Sequence, residues 1–275
     1  MRHLRARVLL DSPIVRVTDV ACHAPRCRPG AEEDTGEQLL VVIPRRGVFC
    51  VHRGSREVAA DPNSVLVLGG GLPYRVSHPA PGGDDCTSLL FAPDVAEEAL
   101  GPSPASHGLA LPPAQLRAAT LTNALARATL EPLAAEEAAL ALLADLAPNL
   151  KRADTSAPLG AAGVRRVERV RALLAGEPAV AWRLETVARA VHCSPFHLAR
   201  QFRAATGETI ARYLGRLRLA AAAQRIAAGE DDLARLAVEL GFTHHSHLSA
   251  RFRGAFGVTP SEVRRIVTAP LSGAP

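Results

Sequence analysis

The chain has 275 residues, 48% of them apolar, with a formal net charge of +5. That length is enough for two ordinary domains, each with its own core. No apolar run reaches the ~18 residues of a membrane-spanning helix. The start, MRHLRARVLLDSP, lacks the long apolar stretch and small-residue cleavage site of a signal peptide, so the expected location is the cytoplasm. The charge is uneven. Residues 164–266 hold 17 Arg against 9 Asp and Glu, a net of +8, which leaves −3 for the rest of the chain. A basic C-terminal part points to a polyanion as its partner. Lys151 is the only lysine. Arginine forms bidentate contacts with phosphate and guanine, although a GC-rich genome produces the same bias.

Residues 5–92 read as strands. QLLVVIP (38–44), GVFCVHR (47–53), SVLVLG (64–69) and TSLLFAP (87–93) are short and β-branched or apolar, divided by the turn signals PRRG, DPN and PGGDD. Short strands with close turns predict a small antiparallel barrel or sandwich. Residues 113–147 switch to Ala/Leu-rich helical spacing, divided into two helices by Pro132. Their wide apolar stripes are expected to pack on the barrel or on a second subunit. Residues 151–163, KRADTSAPLGAAG, have linker composition.

From Val164 onward the pattern is helical. VRRVERVRALLAG places Val164, Val167, Val170 and Leu173/Leu174 on one face and stops at Gly176. RLETVARAVH is a short second helix. Ser194 then caps a helix with Pro195 at its first position. A long helix spans 207–229 and is followed by a short one capped by Asp231 or Asp232. THHSHLSARFRGAFG is another helix, and Thr259-Pro260 opens the last.

This half contains one unit twice. LETVARAVHCSPFHLARQFRAATG and DLARLAVELGFTHHSHLSARFRGAFG match in order. His197, Leu198, Phe202 and Arg203 correspond to His247, Leu248, Phe252 and Arg253. Each unit is a short helix, a tight turn and a second helix, the spacing of a helix-turn-helix. The leucine and phenylalanine lie four apart and share a buried face, so the opposite face is free to enter a major groove. A rod of ~20 residues, roughly 30 Å long, separates two such heads by about one turn of DNA.

Segment 164–266 resembles the C-terminal DNA-binding domain of the AraC/XylS family of bacterial transcription regulators. LARQFRAATGETIARYLGRLRLAAA and AVELGFTHHSHLSARFRGAFGVTPSEVRR carry the resemblance. EEDTGEQLLVVIPRRGVF and GLPYRVSHP are similar, less specifically, to the cupin-like sensing domain of many members. The resemblance implies an α+β chain. Residues 1–150 form a cupin-like antiparallel β-barrel with two following helices, for sensing and dimerisation, and 151–163 the linker. Residues 164–268 form an all-α domain of two helix-turn-helix units joined by a long helix. The recognition helices are 194–205 and 244–256. Double-stranded promoter DNA is the implied partner, with RNA polymerase, a small-molecule or metal effector and a second copy of the chain beside it. Activation and repression are both open.

By the same resemblance Phe196, Ala199 and Arg200 occupy base-facing positions of the first reading helix, with Arg203 also outward. Arg200 suits guanine. Phe196 suits a thymine methyl or staples the helix start. In the second helix His245, Ser246, Ser249 and Ala250 match the base-facing slots. Members often carry arginine where Ala250 stands. Here the arginine is displaced to Arg251, about 100° around the helix, so the second head is expected to work mainly through phosphates, with Arg251 and Arg253. His197 and His247 are read as structural. His244, His245 and His247 do not share one side of a helix, which argues against a metal there.

Five cysteines, Cys22, Cys27, Cys50, Cys86 and Cys193, suggest reduced thiols or metal ligands. Cys22, Cys27 and Cys86, with His23, His52 or His78, make a zinc site if the barrel gathers them; otherwise they are plain thiols. Cys50 and His52 share one face of a strand. The sequence holds no P-loop, G-x-S-x-G or H-E-x-x-H motif. The two-motif histidine pattern of cupin enzymes and the Pro-Cys-His-Arg motif of methyl-accepting repair regulators are also missing. No catalytic residue is expected.

Overall fold

The computed structural model describes residues 3–54, 56–71, 73–79, 81–100, 107–109, 112–150 and 161–268. The N-terminal half starts with eight strands: β1 (Leu4–Asp11), β2 (Val15–Cys22), β3 (Leu39–Gly47), β4 (Phe49–Arg53), β5 (Arg56–Ala60), β6 (Val65–Leu68), β7 (Arg75–Ser77) and β8 (Asp84–Phe91). Helix α1 (Pro93–Leu100), strand β9 (His107–Leu109), and helices α2 (Pro112–Ala126) and α3 (Pro132–Leu150) complete it. Six strands form one antiparallel sheet in the order β1-β2-β8-β3-β6-β9, and three form a second in the order β5-β4-β7.

The large sheet is covered on both faces. Alternation along β3 sends Leu39, Val41 and Ile43 toward α1–α3, where they meet Leu142, Leu143 and Leu146, and sends Leu40 toward the small sheet to meet Phe49 and Val51. Each fully buried leucine or phenylalanine here contributes on the order of 1.5–3 kcal/mol. The register of β3 against β8 shifts between Pro44 and Arg46. Arg45 is the residue left over in this bulge; its guanidinium is buried against Asp19 and donates to the Cys86 carbonyl at 3.1 Å. The turn signals PRRG, DPN and PGGDD all fall between strands or at such a bulge. The short helix α1 was not legible, because eight residues give too little periodicity.

The C-terminal half is helical: α4 (Ala161–Gly176), α5 (Leu184–Ala190), α6 (Pro195–Thr206), α7 (Ile210–Ala227), α8 (Leu233–Glu239), α9 (His245–Phe256) and α10 (Pro260–Thr268). Helix α4 begins at Ala161, three residues earlier than the linker composition suggested; residues 151–160 lie outside the described ones. Two cores form. One joins α4, α5, α6 and the start of α7, and the other joins the end of α7 with α8, α9 and α10. The N-terminal half reaches into both. Val48 packs in the first core and Leu116 of α2 in the second. The apolar stripes of α2 and α3 are therefore covered within the chain, by the large sheet and by α7, and the exposed part of α3 carries Leu133. No helix of the described residues is long and apolar enough to cross a membrane.

Candidate nucleic-acid interface

Helices α6 and α9 are built alike. Each has 12 residues. The Ser194 hydroxyl accepts from the His197 amide at 3.3 Å, with Pro195 at the first helical position. His244 Nδ1 accepts from the His247 amide at 3.2 Å in the same role. Both helices end on a left-handed glycine, Gly207 at φ 75° and Gly257 at φ 76°, whose amides bond back to the carbonyls of Arg203 and Arg253. Leu198 and Phe202 in one, and Leu248 and Phe252 in the other, are fully buried.

With those faces fixed, Phe196, Ala199, Arg200 and Arg203 lie exposed on α6, and His245, Ser246, Ala250 and Arg253 on α9. Phe196 is 79% exposed, so it does not staple the helix start. Ser249 is half-buried, with its hydroxyl 3.3 Å from His245 Nε2. Arg251 is exposed but turned along α7. Its terminal nitrogen lies 3.2 Å from where a β-carbon on Gly215 would sit. His247 meets Phe242 edge-on with centroids 5.5 Å apart, and its Nδ1 lies 3.0 Å from the Thr243 hydroxyl.

The two turns differ by one residue. Four residues separate α5 from α6 and five separate α8 from α9. In the second turn Gly241 adopts φ +75°, and a β-carbon there would stand 2.9 Å from the Arg218 guanidinium. Arg218, on α7, donates to the carbonyls of Pro178 at 2.8 Å, Val180 at 3.0 Å and Gly241 at 3.1 Å. One side chain thus ties the α4–α5 loop and the second turn to the rod. The rod has 18 residues, about 27 Å at ~1.5 Å each.

Sequence reasoning missed the junction between the halves. Asp61 is fully buried in the β5–β6 turn, whose DPN sequence signals only a turn. It accepts from the Tyr213 hydroxyl on α7 and from Arg171 Nε on α4 at 3.1 Å. Arg171 also donates to the Ala59 carbonyl and to Glu168, and Asn63 Nδ2 donates to the Tyr213 carbonyl at 3.0 Å. Burial raises the pKa of Glu168 and carries the Tyr213 phenol well above its usual value. Tyr213 packs edge-on against Phe202, inside the first head. An aspartate in a turn and an arginine in a helix carry no signal of their pairing when 110 residues separate them.

The cysteines divide. Cys22, Cys27 and Cys86 converge on His78 and Asp84, whereas Cys50 is buried elsewhere and pushed up to about 12 by that burial. His23 is exposed, and His52 Nε2 pairs with the Ser77 hydroxyl at 2.7 Å. His78 Nε2 lies 2.7 Å from Asp84 Oδ1, a bond that raises the imidazole pKa. Burial raises Cys22, and raises Cys86 strongly beside Asp84. Cys86 donates to Asp84 Oδ2 at 2.8 Å, so it stands behind the carboxylate, and Asp84 occupies the inner place expected for it.

Residues 187–266 match the family described as a helix-turn-helix domain, and residues 5–159 match the AraC-binding-like domain, which alone covers more than half of the chain. The chain belongs to the AraC family. It is 38% identical over 87 residues to the HTH-type transcriptional activator RhaS of Escherichia fergusonii, covering 32% of this chain and 31% of RhaS. The match therefore spans about a third of that relative's length. Regulatory protein SoxS of Salmonella typhimurium is 32% identical over 81 residues, covering 30% of this chain and 76% of SoxS. The crystal structure of ToxT from Vibrio cholerae O395 aligns over 98% of this chain and 100% of its own, at 11% identity and a TM-score of 0.38. Membership of the AraC family rests on the sequence matches. It agrees with the antiparallel sheets followed by a helical double unit.

Proposed function

We propose that this AraC-family chain regulates transcription in the cytoplasm by laying α6 and α9 into successive major-groove segments of double-stranded promoter DNA. The observation that carries the reading is the duplicated burial. Leu198/Phe202 and Leu248/Phe252 face inward, which turns two polar, arginine-bearing faces outward on one rod. In this reading Arg200 contacts guanine, Phe196 lies on a thymine methyl and Ala199 leaves room between them. His245, Ser246, Ser249 and Ala250 face bases in the second segment, a weaker set, and Arg203 and Arg253 hold phosphates. Arg251, turned along α7, is assigned to the phosphate flank of the second head. The name of RhaS as an activator supports an activating role with RNA polymerase as partner.

The N-terminal domain acts as the sensor in this proposal, with a homodimer as the working unit. It is bonded to α4 and α7, so an effector that alters its docking alters the spacing and tilt of the heads. A cavity of about 290 Å³ between the halves is lined by Arg45, Val48 and Gly83 on one side and Leu217 and Gln224 on the other. Among the described residues, Arg45 Nε and Gln224 Oε1 are buried without a hydrogen-bond partner, which makes this cavity the place for a polar small-molecule effector.

The test is a fragment selection from genomic DNA with the full chain, repeated with Arg200→Ala. The variant is expected to lose about 1–3 kcal/mol of discrimination at one base pair while keeping its affinity for unrelated DNA. Equal weakening on every fragment contradicts a base-reading Arg200.

A further inference from the structure

We propose that Cys22, His78 and Asp84 of the N-terminal domain hold a zinc ion, with an open fourth position and with Cys27 as the outer partner of His78. One ligand atom each from Cys22, His78 and Asp84 lies within 4.8 Å of the other two. His78 Nε2 faces Asp84 Oδ1 at 2.7 Å and is the nitrogen offered to the ion, while the Cys27 sulfur stands 3.3 Å from Nδ1 and orients the ring from its other side. Ligand atoms of Cys22, His78 and Asp84 sharing one tetrahedral zinc, at ~2.0–2.3 Å from the ion, would stand roughly 3.5 Å apart, within that span. A thiolate, an imidazole and a carboxylate form a borderline set, which favours zinc over the all-oxygen preferences of magnesium and calcium.

The cluster is placed by backbone. Cys22 and Asp84 are direct partners across the β2–β8 ladder. The strands approach so closely there that a β-carbon on Gly83, at φ +65°, would lie 1.8 Å from the Cys22 carbonyl oxygen. The segment after β2 doubles back along β7. The Cys27 amide donates to the His78 carbonyl at 3.0 Å, Gly30 to Val76 at 3.0 Å, and Glu33 pairs with Tyr74. These bonds deliver Cys27 to His78 whatever its rotamer. Cys22, His78 and Asp84 are buried and Cys27 is exposed, so an ion enters past Cys27. Cys86, donating to Asp84 Oδ2, fixes the carboxylate as outer-shell partners do. On binding, the Cys22 thiol releases its proton to solvent and gives a sulfur lone pair to the ion, with no change of oxidation state.

The experiment measures metal in the full-length protein purified with zinc and without chelators, then zinc affinity by chelator competition, with cobalt as a spectroscopic substitute. About one zinc per chain is expected, with the visible bands of a tetrahedral cobalt–thiolate site. Cys22→Ser, which removes the thiolate ligand, is expected to weaken zinc by about a hundredfold or more and to abolish those bands, and Cys27→Ala, at the outer side of His78, to weaken it by about tenfold. Cys193→Ala, outside the cluster, is expected to change neither. Less than about a tenth of an ion per folded chain and no cobalt bands would overturn the proposal. So would zinc held unchanged by Cys22→Ser, or a Cys22–Cys27 disulfide formed in place of metal uptake.

Discussion

At the scale of single residues, the proposed interface separates two jobs. Arg200 projects from the middle of α6, where bidentate contact with a base edge is geometrically available, whereas Arg253 belongs to the last turn of α9, over the backbone track. Arg253→Ala is therefore expected to weaken binding to all sequences and to lower the salt dependence of log K by about one phosphate contact. Binding measured against salt concentration on a target and a random duplex checks this; a selective loss on the target alone contradicts it. The buried pair in each reading helix was legible from i, i+4 spacing. The orientation of Arg251 was not, because a helical wheel gives the angle of a side chain but not its neighbour. Here the neighbour is α7, and Gly215 leaves the space in which Arg251 lies.

At the scale of elements, the caps and turns decide how firmly each head is held. Ser194, Thr259 and one of Asp231 and Asp232, which the structure resolves to Asp232, were readable as caps because short side-chain acceptors before helical runs have few other uses. His244 was not readable as one. The junction between α7 and α8 is held by Glu230, which accepts from Arg225 at 2.6 Å, from Arg235 at 3.1 Å and from the Asp232 amide at 3.2 Å. These donors, Arg225 foremost, hold its carboxyl down to about 2. A carboxylate held below its ordinary value stabilises the fold at pH above that ordinary value, and the contribution fades as pH falls toward the lowered one. Glu230→Gln is thus expected to lower the urea midpoint near neutrality, with the gap to the parent closing between about pH 4.5 and about pH 2. A gap that stays constant across that window contradicts the assignment.

At the scale of the whole molecule, the N-terminal and C-terminal halves share their interiors. Val48 and Leu116 each sit in the core of one head, and Asp61 bonds to both α4 and α7. Removing one partner of a buried charged pair leaves the other uncompensated, at a cost of about 3–5 kcal/mol, whereas replacing both is milder. Asp61→Ala is expected to show that loss in urea unfolding, and Asp61→Ala with Arg171→Met a smaller one; equal losses contradict a paired role. The two-domain plan was legible in the switch from short β-branched runs to helical spacing and in the repeat. Neither the junction nor the cluster around His78 was, because Asp61 sits in a DPN turn and Asp84 in a GGDD turn, and both read as solvent-facing loops. The account stands most directly on two heads set one helical turn apart on one rod. Hydroxyl-radical footprinting of the full chain on a selected promoter fragment tests it. Two protected patches about 10 base pairs apart on one face of the duplex are predicted; a single patch, or two on opposite faces, contradicts the account.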